Sequence, residues 1–166
     1  KLSTILNVYK TPQIIMINWK SLGFDALTTH QLFELLKLRV DVFVVEQNCP
    51  YPDLDEKDRH CDMRHLMGFE QDKLVAYARL LPPGVSYPSA SIGRVVTHQD
   101  YRGNGRGKRL IETAIKYCES YWPNSEIEIG AQTYLLSFYE SFGFVPTSDM
   151  YLEDGIPHVD MKRTPQ

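Results

Sequence analysis

Ser91-Ile92-Gly93-Arg94-Val95-Val96-Thr97 leads through His98-Gln99-Asp100-Tyr101 into Arg102-Gly103-Asn104-Gly105-Arg106-Gly107-Lys108. Ser91 to Thr97 reads as a buried strand, and a helix pattern follows from about Gly105 to Tyr121. Between them lie three alternating glycines. Strand, glycine turn and helix start together form a phosphate-binding arrangement. Glycine lets the backbone approach an anion because no Cβ intervenes. The open N–H groups and dipole of a helix start favour negative charge. Arg102, Arg106, Lys108 and Arg109 add positive charge. One glycine would suit an ordinary strand-to-helix connection; three among four cations exceed that need. Two familiar phosphate loops are excluded. A Walker A loop would need Gly at 102 and Ser or Thr at 109, where this chain has Arg102 and Arg109. The dinucleotide pattern Gly-x-Gly-x-x-Gly, started at Gly103, meets Lys108 instead of its third glycine. ATP and NAD are therefore poor candidates.

Outward from this turn the chain alternates strands and helices. Ile14 to Trp19 reads as a strand, and Ser21 to Leu27 leads into a helix. Thr28 and Gln31 fit a capping box, and Leu32, Leu36, Val40 and Phe43 follow at helical spacing, so this helix should end near Val44 or Val45. Glu46 to Asp62 reads as an ordered loop and a wall for a substrate. Arg64 to Glu70 and Leu74 to Leu81 read as strands joined by Gln71-Asp72-Lys73. Pro82 to Pro88 is a turn-rich break. Pro123 and Asn124 end the long helix. Glu126 to Gly130 is a strand, and Thr133 to Phe142 a short helix with Gly143 as its C-cap. Phe144 to Tyr151 and His158 to Lys162 form a last strand pair around Asp154-Gly155. The order predicts a mixed α/β domain of helices on a sheet.

Composition narrows the class. The chain has 166 residues, 43% hydrophobic and 23% charged, which suits one globular domain with its own core. Its net charge of −3 gives no basic excess for nucleic acid. No apolar run approaches the roughly 20 residues of a membrane helix. Lys1 to Lys10 carries no secretory apolar core, and the missing initiator Met fits numbering that starts after a removed segment. Cys49, Cys61 and Cys118 are an odd number, so a reducing cytoplasm fits better than a disulfide framework.

Arg102, Gly105 and Gly107 satisfy R-x-x-G-x-G. This resembles the pyrophosphate-binding motif of the GNAT superfamily of N-acetyltransferases. Gln132 to Phe144, with Ser137-Phe138-Tyr139-Glu140-Ser141-Phe142-Gly143-Phe144, resembles the family's downstream segment, a short helix with a Tyr and a Gly-Phe ending. Arg39, Val42-Phe43-Val44-Val45-Glu46-Gln47, Cys49-Pro50-Tyr51 and Gly155-Ile156-Pro157-His158 resemble the ElaA-like subgroup. The resemblance covers nearly the whole chain. It implies a mixed, mostly antiparallel central sheet flanked by helices, one domain over residues 1–166, and pairing into a homodimer through the final strands.

It also implies a chemistry: transfer of an acetyl group from acetyl-CoA to a primary amine, by direct attack. The pyrophosphate would rest on N–H groups from Arg102 through Gly103, Asn104, Gly105, Arg106 and Gly107 to Lys108. The pantetheine arm would lie along a splayed strand edge at Val95, Val96 and Thr97. Gln132 stands where many members carry Asn beside the cofactor. Tyr139 matches the family tyrosine near the sulfur and would be the general acid, although it could equally pack its helix through Phe138 and Phe142. Glu46, His65, Glu70 and His158 are candidates for a general base, and a water chain could replace any of them. A non-catalytic acyl-CoA-binding module and a nucleic-acid binder using the cationic turn are the competing classes.

Three other constellations have plain readings. Cys118 shares a helical stripe with Ile111, Ile115 and Trp122, so it reads as core rather than as an acyl-carrying nucleophile. Cys49, His60, Cys61 and His65 match no zinc spacing, and no metal is expected. Asp53, Asp55, Glu56 and Asp58 read as a solvated loop or as an attractor for a cationic amine.

Overall fold

The computed structural model describes residues 16–165. Its elements are β1 (Asn18–Leu22), α1 (Thr29–Arg39), β2 (Arg64–Glu70), β3 (Lys73–Leu81), β4 (Ala90–Thr97), α2 (Arg106–Tyr121), β5 (Ile127–Gln132), α3 (Leu136–Glu140), β6 (Val145–Pro146), β7 (Tyr151–Glu153) and β8 (Ile156–Arg163). They build one sheet in the order β1-β2-β3-β4-β5-β8-β6, with β7 also on β8. Every pairing is antiparallel except β4 with β5. Among the described residues no helix is long and apolar enough to cross a membrane.

Both sheet faces are covered. On one, α2 buries Leu110, Ile111, Ala114, Ile115 and Cys118, an apolar stripe at helical spacing. They meet Val75, Leu80, Ile92, Ile127 and Ile129 of the sheet, with Tyr139 and Phe144 closing the layer. Each such Leu or Ile contributes about 1.5–3 kcal/mol relative to leaving it in water. On the other face Leu35, Leu38 and Val42 pack on Met67, Tyr77 and Val96. The central strand β3 is therefore buried on both faces from Leu74 to Leu81, which explains a run that is apolar except for Arg79.

Several boundaries differ from the sequence expectation. Ile14 and Ile15 of the first expected strand lie outside the described residues, and β1 extends instead through Leu22. The Thr28–Gln31 capping box is present. Beyond Arg39 the helix widens into π turns over Val40–Glu46, with the Gln47 amide bonding the Val42 carbonyl at 3.0 Å. The β2–β3 turn is Gln71-Asp72 alone, with Gln71 at φ 53°. Residues 133–142 are not one helix: a 3-10 turn at Thr133–Leu135 precedes α3. Phe144 to Tyr151 is not one strand either. Pro146 closes β6, and Thr147 and Ser148 then bond the Asp160 backbone as a loop before β7.

Candidate active site

β4 and β5 pair only at Ala90–Ile127 and Ser91–Glu128, then diverge. Beyond Ser91 the edge of β4 that faces β5 has no strand partner among the described residues, so its peptide groups open into the gap. A bulge sharpens the divergence: Ala78 of β3 faces two residues, Arg94 and Val95, and Arg94 adopts φ 50°. The resulting cleft holds about 960 Å³ and is lined by Val95, Val96, Thr97, Gln132 and Tyr139.

The glycine turn closes one end. Gly103 (φ 92°) and Gly105 (φ 76°) are left-handed, which is why a Cβ is disfavoured there. A Cβ on either would meet nothing within 4 Å, so the requirement is conformational and not one of space. Gly105 caps α2 without any side-chain cap. Backbone N–H groups from Gly103 to Lys108 have no hydrogen-bond partner among the described residues, whereas the Arg102 amide is used by the Gln99 carbonyl. Gly103, Gly105 and Gly107 line the cleft; Asn104 and Lys108 stand outside the lining.

The arginines of the turn do not simply add charge. Arg102 is held bidentately by Glu46 at 2.6 and 3.0 Å and also bonds the Thr97 carbonyl. Arg106 is buried, bonded to Glu70 and to the Tyr101 carbonyl. Both side chains brace the turn.

Tyr139 is 6% exposed, and burial pushes its phenol above the usual range, so it stays protonated. Its hydroxyl makes no hydrogen bond among the described residues, which leaves a proton donor available at the cleft wall. Phe138 and Phe144 meet its ring edge-on. Packing and a donor role are therefore compatible.

The base candidates separate. Fully buried His65 lies at 2.8 Å from the Tyr77 hydroxyl and 3.1 Å from the Asp58 carbonyl. A carbonyl only accepts, so Nε2 carries the proton and Nδ1 accepts from Tyr77. Burial pushes this imidazole down to about 4. It is a core group and no base for the cleft. Glu70 is occupied by Arg106, and Arg102 holds Glu46 below its ordinary value. His158 lines the cleft, with Nδ1 bonded to the Ile156 carbonyl.

Over residues 42–165 the chain matches the acetyltransferase (GNAT) domain family. It belongs to the GNAT family. ElaA of Escherichia coli (strain K12) is 45% identical over 148 residues, covering 89% of this chain and 97% of ElaA. The crystal structure of E. coli ElaA superposes with a TM-score of 0.84 at 44% identity, over 89% of this chain and 99% of that one. An acyl-CoA N-acyltransferase from Pseudomonas aeruginosa gives 0.86 at 40% identity, over 90% and 100%. The GNAT fold implies an acyl-CoA co-substrate, and the split between β4 and β5 is where this chain has room for one.

In this GNAT domain the acidic run divides: Asp53 and Asp58 are buried in ion pairs, while Asp55 and Glu56 stay exposed. Arg39, fully buried, bonds Asp53 at 2.8 Å and Asp58 at 2.7 Å. Arg79 bonds Asp55 at 2.7 Å and Asp58 at 3.0 Å. Arg94, aimed by its bulge, reaches Asp53 at 2.8 Å. Asp55 keeps an exposed side chain beside Arg79, and Glu56 is on the surface, paired with Arg59. Cys118 is core, as its stripe predicts, and burial pushes its thiol up. Cys49 and His65 stand apart from half-buried His60 and exposed Cys61 and Asp62, whose ligand atoms lie within 4.8 Å of one another.

The sequence reading missed Asp160. It sits on β8 opposite Gly130 and lines the cleft. Its Oδ1 accepts from Tyr87 at 2.9 Å and from Tyr151 at 2.8 Å, and Oδ2 has no partner among the described residues. Burial, then the bond to Asp160, pushes both phenols up, so both remain donors. One signal was available: Val159 and Met161 alternate with polar His158 and Asp160, which puts the polar pair on one face.

Proposed function

We propose that this GNAT protein moves an acetyl group from acetyl-CoA to a primary amine by direct attack, with Tyr139 as general acid. One observation carries the reading: a strand edge, a run of N–H groups at a helix start and a buried phenol, each without a partner among the described residues, open into one cleft. The amides of Gly103 to Lys108 hold the diphosphate, shaped by Gly103 and Gly105 and braced by Arg102 and Arg106. Asn104 and Lys108 serve the same group from the rim. The edge at Val95, Val96 and Thr97 pairs with the pantetheine amides, and Gln132 contacts the arm from β5. A neutral amine attacks the thioester carbonyl carbon, and a backbone N–H of β4 takes the developing oxyanion, worth a few kcal/mol. As the C–S bond breaks, Tyr139 passes its proton to the thiolate and regains one, through water, from the new ammonium.

Coenzyme A release is the test. Free-thiol formation from acetyl-CoA, scanned over an amine panel, should appear with at least one primary amine. Tight coenzyme A binding with no turnover on any amine would replace this reading by a non-catalytic acyl-CoA module.

A further inference from the structure

We propose that Asp160, framed by Tyr87 and Tyr151, binds a second, non-reacting ammonium group of the acceptor, so that the acceptor is a diamine or longer polycationic amine. The inference rests on the acetyl transfer proposed above and names its substrate class. Along β5, Ile129 and Ala131 face the core that contains Tyr139. Gly130 between them faces the other way, together with its register partner Asp160. Tyr139 and Asp160 therefore stand on opposite faces of the sheet and meet only through the cleft that both line. A nitrogen seated on Asp160 is on the face away from the phenol, so it is not the nitrogen that attacks.

The carboxylate is prepared for a cation. Two phenols donate to the same oxygen, which orients the group and leaves Oδ2 outward. The Tyr151 and His158 rings stack beside it at 6.0 Å, and aromatic faces favour an ammonium. Among the described residues no cation neutralises it: Arg79 and Arg94 are spent on Asp53, Asp55 and Asp58, and Lys57 bonds Ser86. Gly130 keeps the place open. A Cβ there would lie 3.1 Å from the Tyr151 hydroxyl and 3.3 Å from that of Tyr87.

Calorimetry on the coenzyme A-loaded protein, comparing 1,4-diaminobutane with n-butylamine, reads the site directly. Wild type should bind the diamine about tenfold more tightly or better, the scale of one charge-assisted hydrogen bond. Asp160→Asn, which keeps an oxygen for both phenols, should erase that preference and leave butylamine unchanged. Gly130→Ala, with no change of charge, should weaken the diamine as well. Equal binding of the two amines by wild type would overturn the proposal. So would an Asp160→Asn enzyme that loses kcat equally on both amines with KM unmoved, the mark of a general base. Diamine preference without thiol release from any amine would support the ammonium site and remove the transferase reading.

Discussion

At the scale of single residues, Tyr139 shows how burial can prepare a donor. Its ring packs against Phe138 and Phe144, its hydroxyl lacks a hydrogen-bond partner among the described residues, and burial holds it protonated far above neutral pH. Tyr139→Phe removes one oxygen and keeps the ring, so the aromatic packing survives. We expect kcat to fall by about 10²-fold, the low end for a lost general acid, with acetyl-CoA binding nearly unchanged. Steady-state kinetics beside calorimetry with coenzyme A checks this, and unchanged turnover would leave Tyr139 a packing residue. Tyr139 was legible in the sequence because a short, contiguous segment resembles a family signature. Asp160 was not, because its meaning arises from Tyr87, 73 residues away, and from a register with Gly130 that no local pattern encodes.

At the scale of elements, the glycine turn was legible and its electrostatics only in part. Alternating glycines announce a tight approach, and two of them do adopt left-handed backbone. That Arg102 and Arg106 turn aside to Glu46 and Glu70 depends on where α1 ends and where β2 runs. The widened π turns carry Glu46 to Arg102, and nothing in the spacing of Val40 to Val45 distinguishes them from α-helix. The bulge at Arg94 was equally hidden, since a bulky residue at positive φ is uncommon and is held here by its bonds to Asp53. For the turn itself, Gly105→Ala imposes a left-handed alanine at a cost of about 1 kcal/mol. If the turn relaxes to avoid that strain, the run of N–H groups loses its common direction. We expect a small drop in thermal stability and a rise in the coenzyme A Kd of tenfold or more, read by calorimetry. A lower melting temperature with unchanged affinity would mean that the diphosphate rests elsewhere.

At the scale of the whole molecule, the loop that carries Asp53, Asp55 and Asp58 is fastened to α1, β3 and β4 by three arginines. Asp53 and Asp58, which look solvated in one dimension, are buried in three because Arg39 and Arg79 come from elements folded over them. Removing one partner of a buried pair strands the other charge, so Arg39→Met should cost about 3–5 kcal/mol in chemical denaturation. Lys37→Ala, which breaks the exposed i,i+4 pair with Asp41, should leave the denaturation midpoint nearly unchanged. The same cluster sets the acid limit. His65 titrates near 4 when folded against an ordinary value of 6.5, so between those values the unfolded chain binds a proton that the native chain refuses. Stability must therefore fall as pH drops from 6.5 towards 4, by up to about 3 kcal/mol. Burial would raise the Asp58 carboxyl, but Arg39 and then Arg79 hold it at about 2, so its contribution is complete above 3.8 and fades only below that. The two windows do not overlap, which allows them to be tested apart. His65→Gln should be less stable than wild type at pH 7 yet lose less between pH 7 and pH 4.5 in denaturant titrations. Parallel losses in the two proteins would show that another group, and not the imidazole between Tyr77 and Asp58, governs the approach to acid unfolding.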